Sequence, residues 1–139
     1  MLCAAVLTTL VVSVAAPAAE AGPRTKMIRS INYVRSWSHR GHLNFSRNLS
    51  AGAASWARTL MRRNVLAHSA GAMRRHEGEI IEWHTGPRAR INSTVIEWWH
   101  SAGHRRVMLT RGYHRAGAGR AVGYFGGRRC TIWVVRFAR

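Results

Sequence analysis

Glu97, His100 and His104 stand at i, i+3 and i+7 within the stretch Val95–Leu109, VIEWWHSAGHRRVML. On an uninterrupted helix this spacing puts all three on one face. A carboxylate with two imidazoles is a sensible donor set for a divalent cation. Gly103, however, lies between the two histidines and reads as a helix stop, so the same spacing also describes a capped amphipathic helix with solvated histidines. His76-Glu77 begins like the H-E-x-x-H zinc motif, but position 80 is Ile. The chain has no C-x-x-C, no G-x-S-x-G and no glycine-rich phosphate loop. Ser69 and Ser101 each adjoin a histidine, yet with no Asp in the chain only a Glu could orient a catalytic base. A serine hydrolase is therefore disfavoured.

Charge narrows the partners. The net charge is +17, from 22 Lys and Arg against five acids. Lys26 is the only lysine, and beyond Glu20 the acids are Glu77, Glu79, Glu82 and Glu97. Acids kept in so basic a chain, and so close together, point to local roles. The positive field attracts anionic surfaces such as lipid head groups and wall polymers. The basic residues form no stripe with interleaved aromatics and no recognised nucleic-acid motif, so no specific nucleic-acid partner is expected.

The first 21 residues read as an export signal. The apolar run Leu2–Ala16 ends in small residues with A-x-A sites, although the usual basic start is missing. No later run is long enough to span a membrane, so the mature chain has no expected transmembrane segment and is expected to be extracellular. Residues 22–26 read as a short basic linker and residues 27–139 as one domain. Once the leader is removed Cys130 is the only cysteine, best explained as a small buried residue, and the core must hold the fold without an internal disulfide.

Ile28, Ile31, Val34 and Trp37 recur at helical spacing, which predicts a helix over Thr25–Ser38. Ser46 is placed to cap a second helix with Leu49, Ala53, Trp56, Ala57 and Leu60 on its apolar face and Asn64 as its stop. Ser93 or Thr94 is expected to cap the helix carrying Val95, Trp98 and Trp99. The period then changes, and Arg115–Phe125 and Cys130–Phe137 around Gly126-Gly127 predict a terminal antiparallel hairpin. Helices first and strands last make an α+β domain, with helices packed on an antiparallel sheet. Trp37, Trp56, Trp83 and Trp133 are expected in the core. Trp98 and Trp99 cannot both face inward. His39, His42, His84 and His114 are expected in solvent, as are Arg105 and Arg106.

The order of short motifs carries more than any one of them. Asn32-x-x-Arg35 comes first, then Leu43-Asn44-Phe45-Ser46-x-x-Leu49, Leu66-Ala67-His68-Ser69, Gly78-Glu79-Ile80-Ile81, Trp98-Trp99-His100-Ser101-Ala102-Gly103-His104-Arg105, Gly117–Gly123 and Thr131-Ile132-Trp133. This order resembles the bacterial branch of the CAP superfamily, with its SCP-like extracellular domain. Animal and plant relatives there are the cysteine-rich secretory proteins, antigen 5 and the pathogenesis-related proteins. The resemblance implies an α-β-α sandwich with a cavity lined by His68, Glu79 and His104. It also implies that His68 and His104 are the pair to hold zinc or another divalent cation, weakly with only two histidines. Two departures stand out: Ile80 replaces the Asn of the family's G-E-N, and Ala102 replaces the Pro of S-P-G-H-R. A second cavity carboxylate has no match at Ser101, and Glu97 and His100 fall back to helix-surface residues.

Three functions remain open. The resemblance and the charge favour a secreted, non-catalytic binding module for a lipid, a cell-wall polymer or a protein. A metal-dependent hydrolase would use His68, His104 and Glu79, with Glu79 as general base. A cationic protein acting on membranes or polyanions by charge alone would need no cavity.

Overall fold

The computed structural model describes residues 22–139, so the expected export signal lies outside the described residues. Among the described residues, five helices and four strands follow one another as α1 (Pro23–Trp37), β1 (Asn44–Phe45), α2 (Arg47–Arg63), α3 (Ala70–Arg74), β2 (Gly78–Thr85), α4 (Ile91–His100), α5 (Ala102–Met108), β3 (Arg115–Phe125) and β4 (Arg128–Ala138). One sheet runs in the order β1-β3-β4-β2. Its three longer strands are antiparallel, as expected, but the two-residue β1 pairs parallel with β3, which makes the sheet mixed. A parallel partner here needs the long connection that α2, α3, β2, α4 and α5 supply.

The side chains of β4 alternate between two helical layers, because successive residues of a strand point to opposite faces. Trp133, Val135 and Phe137 pack with Met27, Ile31, Val95, Trp98 and Met108 under α1, α4 and α5. Ile132 and Val134 pack with Ala53, Ala57 and Leu60 of α2. The sheet lies between these layers, giving an α-β-α sandwich. On the α2 side β3 carries Gly117 and Gly119. A Cβ on Gly119 would run into the backbone of Ala53 and Ala54, and one on Gly117 into that of Leu49 and Ser50. Close approach of a helix backbone to a strand is what glycine permits. Ser50 uses the closeness to donate to Ala118 O at 2.6 Å.

Helix boundaries follow local chemistry. Pro23 opens α1, where a missing N–H is harmless. Pro23–Lys26, read as part of a linker, therefore form the first turn of α1, with Gly22 at its N-cap. Ser46 caps α2 by accepting the Leu49 N–H at 3.3 Å, and Asn64 ends it in the left-handed conformation at φ 52°. Ser93 and Thr94 do not cap α4. Both hydroxyls donate back to Arg90 O, at 3.0 and 2.9 Å, and Arg90 itself holds the N-cap position at φ 43°. Serine and threonine inside a first turn readily bond backward in this way.

The turn between α4 and α5 falls at Ser101, whose extended backbone ends one helix and starts the next, while Gly103 lies inside α5. Trp133 and Trp98 are fully buried. Trp37, expected in the core, is the last residue of α1 and is 73% exposed, bordering an open groove with Ile96 and Trp99 of α4. Trp83 is also partly exposed, since β2 is an edge strand. His84, expected in solvent, lies on the same strand and is buried, with Nε2 unpartnered. His39, His42 and His114 are exposed and Cys130 is buried, as expected.

Candidate functional site

β2 and the segments on either side of it bring the candidate residues together. Trp56 Nε1 donates to Ala67 O at 2.9 Å and so holds the α2–α3 loop that carries His68. Ser69 caps α3 through its hydroxyl, and its backbone N–H donates to Glu79 Oε1 at 2.8 Å. On the other side, Trp98 Nε1 donates to Ile81 O at 3.3 Å and ties α4 to β2. Between these supports lies a cleft of about 310 Å³ lined by Leu66, Ala67, His68, Ile81, Glu82, Trp83 and His104.

His68 Nδ1 lies 3.1 Å from Glu79 Oε1, and Arg136 Nε donates to Glu79 Oε2 at 3.0 Å. Both oxygens of Glu79 are thus engaged, one by a loop and the other by a strand. Glu79 and Arg136 are buried, whereas the His68 side chain is 55% exposed. His104 reaches the same cleft from α5. Burial, with the nearby His68 adding to it, pushes its imidazole below the usual range, and its Nδ1 is buried without a partner. On the strand, burial pushes the Glu82 carboxyl up. The Trp83 N–H, donating to it at 3.0 Å, opposes that shift, and Glu97 reinforces it.

Of the sequence candidates, the structure gathers His68 and His104 at one cleft with Glu79 behind His68. Glu97, His100 and His104 do not share a helix face, because Ser101 interrupts the helix before His104. Glu97 and His100 are exposed on α4 and outside the cleft lining.

The residue that the sequence reading missed is Arg136. Its signal was present as the one charge in the apolar run Cys130–Phe137. Arg35 is fully buried and serves the frame instead. Its guanidinium donates to the carbonyls of Gly41, Met108, Thr110 and Tyr113, at 2.8, 2.8, 3.1 and 3.4 Å. Burial, with Arg40 nearby, lowers its pKa from the ordinary value. Asn32 grips the Leu43 backbone at both its N–H and its carbonyl.

The donor chemistry can be weighed against a metal. Two imidazoles line the cleft, but Glu79 is already engaged, and among the described residues no group of three His, Cys, Asp or Glu is placed to hold an ion. The site fits at most a two-histidine, weakly held cation, since structural and catalytic zinc sites take three or four protein ligands.

A second concavity runs along the α1–α4 seam. Tyr33, Val34, Trp37, Val95, Ile96 and Trp99 line about 360 Å³ of it. Tyr33, Trp37 and Ile96 are well exposed there, and Lys26 and Arg29 line the adjoining stretch.

The α-β-α sandwich sets the fold class of the protein. The model of the CAP: Cysteine-rich secretory protein family matches residues 28–137. The chain belongs to that family.

Solved structures agree on the fold. An outer surface protein from Borrelia burgdorferi superposes with a TM-score of 0.66 at 18% identity, covering 83% of this chain and 91% of that one. BmVAL-1 gives 0.65 at 20% identity, with 88% and 80% covered. An extracellular protein containing a SCP domain from Bacillus anthracis gives 0.63 at 16% identity, covering 84% of this chain and 40% of that one. Among curated protein sequences none matches. No described helix is long and apolar enough to cross a membrane.

Proposed function

We propose that the chain is a secreted CAP-domain binding module that acts without turnover at an anionic extracellular surface, either lipid or cell-wall polymer. The observation that carries this reading is the engagement of Glu79. A general base must offer a free oxygen to a water or substrate. Here Ser69 N–H and Arg136 hold one oxygen each, and His68 shares the first. That arrangement suits a carboxylate that orients a histidine, and it speaks against the hydrolase reading with Glu79 as base. The charge of +17 supplies long-range attraction to the surface. The exposed Tyr33, Trp37 and Ile96 beside Arg29 keep a lipid among the candidates.

Retention on purified wall sacculi and on phosphatidylglycerol-containing vesicles tests the reading. Exposed charges are strongly screened at ~0.5 M salt. Retention surviving at that salt supports a shaped binding surface. Loss of all retention there points instead to a cationic protein acting by charge alone.

A weakly bound divalent cation is a second reading. It is supported by the position of His68 and His104 at one cleft, close enough that His68 depresses the His104 imidazole. Calorimetric zinc titration of the intact chain against His68→Ala and His104→Ala tests it. Equal heats from all three proteins remove the site.

A further inference from the structure

Arg136 faces Glu79 directly across the β2–β4 register, on the side of the sheet covered by α2. It is buried, and it is the one charged residue in a strand segment otherwise built of apolar and small polar residues. Its guanidinium runs beneath α2 at Gly52, where an added Cβ would come within 2.6 Å of Arg136 Nη1. The helix thus leaves a slot for the side chain. From that slot Arg136 Nε holds Glu79 Oε2 at 3.0 Å, which fixes how the carboxylate is turned. Oε1 then meets the Ser69 N–H at 2.8 Å and His68 Nδ1 at 3.1 Å.

A carboxylate can only accept at Nδ1, so it selects the imidazole tautomer whose proton is there. We propose that Arg136 is the positioning residue of the cleft: acting through Glu79, it holds His68 as the Nδ1–H tautomer and presents the Nε2 lone pair to the ligand. The claim rests on the reading of the His68–His104 cleft as a binding site, but not on which surface the protein binds. It limits the ligand chemistry at His68. A lone pair receives a hydroxyl, an ammonium group or a metal ion, and it disfavours a bare anionic oxygen. The positive charge of the protein and the polarity of His68 therefore act on different parts of a partner. The surface attracts anionic groups, while the cleft takes a hydrogen-bond donor or a cation.

Long-range proton–nitrogen correlation spectra of the ¹⁵N-labelled intact chain read the tautomer directly. They are best recorded at about pH 8.5, above the imidazole range. The expected wild-type spectrum shows His68 protonated on Nδ1. In Arg136→Ala the carboxylate loses its anchor, and His68 shifts toward the Nε2–H form that free neutral histidine prefers. Arg136→Lys, which keeps a donor in the slot, restores Nδ1–H in part, and the His104 signals stay in place. In Glu79→Gln an amide N–H competes for Nδ1, and His68 moves to Nε2–H. Should Arg136→Ala not fold, Arg136→Met fills the slot without a donor and carries the same expectation.

An Nε2–H tautomer in the wild type overturns the proposal, as does an unchanged Nδ1–H signal in the folded Arg136 variants. A purely structural Arg136 would alter stability and leave the tautomer alone. Loss of retention on sacculi and vesicles with the tautomer intact would count against the binding function and leave this proposal standing.

Discussion

The two faces of the sheet are packed by different means. Toward α1, α4 and α5 the sheet offers large side chains, Trp133, Val135 and Phe137, which fill the space against Trp98, Met27 and Met108. Toward α2, β3 offers Gly117, Gly119 and Ala121 beside Ile132 and Val134 of β4, and the helix answers with Ala53, Ala57 and Leu60. The first face is held by large buried side chains throughout, whereas the second adds close backbone approach along β3 to the side chains of β4. On the second face Gly52 leaves a slot through which the Arg136 guanidinium passes between helix and strand. The contrast explains why the charged pair behind the candidate site lies under α2 and not in the bulky core.

The largest expected effect comes from the bulky face. Trp133→Ala removes a fully buried indole whose Nε1 donates to Ala89 O at 2.7 Å. It is expected to cost about 3–5 kcal/mol, measured by denaturant unfolding, with the cavity adding to the lost burial. An effect below ~1 kcal/mol would mean that this face collapses freely around a void.

Arg136→Met comes next, at about 3 kcal/mol, because it leaves the Glu79 carboxylate buried without its cation. Pairing it with Glu79→Gln in a double-mutant cycle measures the coupling. Additive losses would show that the two residues act independently and would weaken the account of the slot.

Gly119→Ala tests the small-residue face, where one methyl group meets the backbone of α2. Overpacking of this kind is expected to cost about 1–3 kcal/mol. The same exchange at exposed Gly41, whose added Cβ would meet nothing, should be close to neutral.

The smallest effect is a pH slope. His104 is pushed down from its ordinary value by burial and by His68, so the unfolded chain takes up that proton more readily than the folded one. Stability should therefore fall as pH drops from about 6.5 through the lowered folded value. Glu82, pushed up by burial, works the other way. Its cost is present above its raised value and is relieved as pH falls through that value. His104→Leu should flatten the decline in urea midpoint between neutral and mildly acidic pH. A decline of unchanged slope would assign it to another group.

Much of the scaffold was legible in the chain. The apolar faces of α1 and α2, the Ser46 cap, the Asn64 stop and the terminal hairpin all follow from short-range patterns, which local backbone chemistry obeys. The order of motifs around His68, Glu79 and His104 pointed to the family. The capping of α4 was misread because Ser93 and Thr94 can bond backward to Arg90 as easily as forward. β2 was not assigned, since residues 74–83 mix polar and apolar types without a clear period.

The sequence by itself determined α1, α2 and the terminal hairpin, because periodicity, caps and turns act over a few residues. Only the tertiary structure decided how the residues of the site meet. Arg136 and Glu79 are separated by 57 positions, and their pairing depends on strand register and on a gap in a third element. Glu97 and His100, already set aside by the motif order, are parted from His104 by a single extended residue, Ser101. The burial of His84 and the exposure of Trp37 likewise depended on which neighbour covered them, since solvent access belongs to the packed surface and not to the residue type.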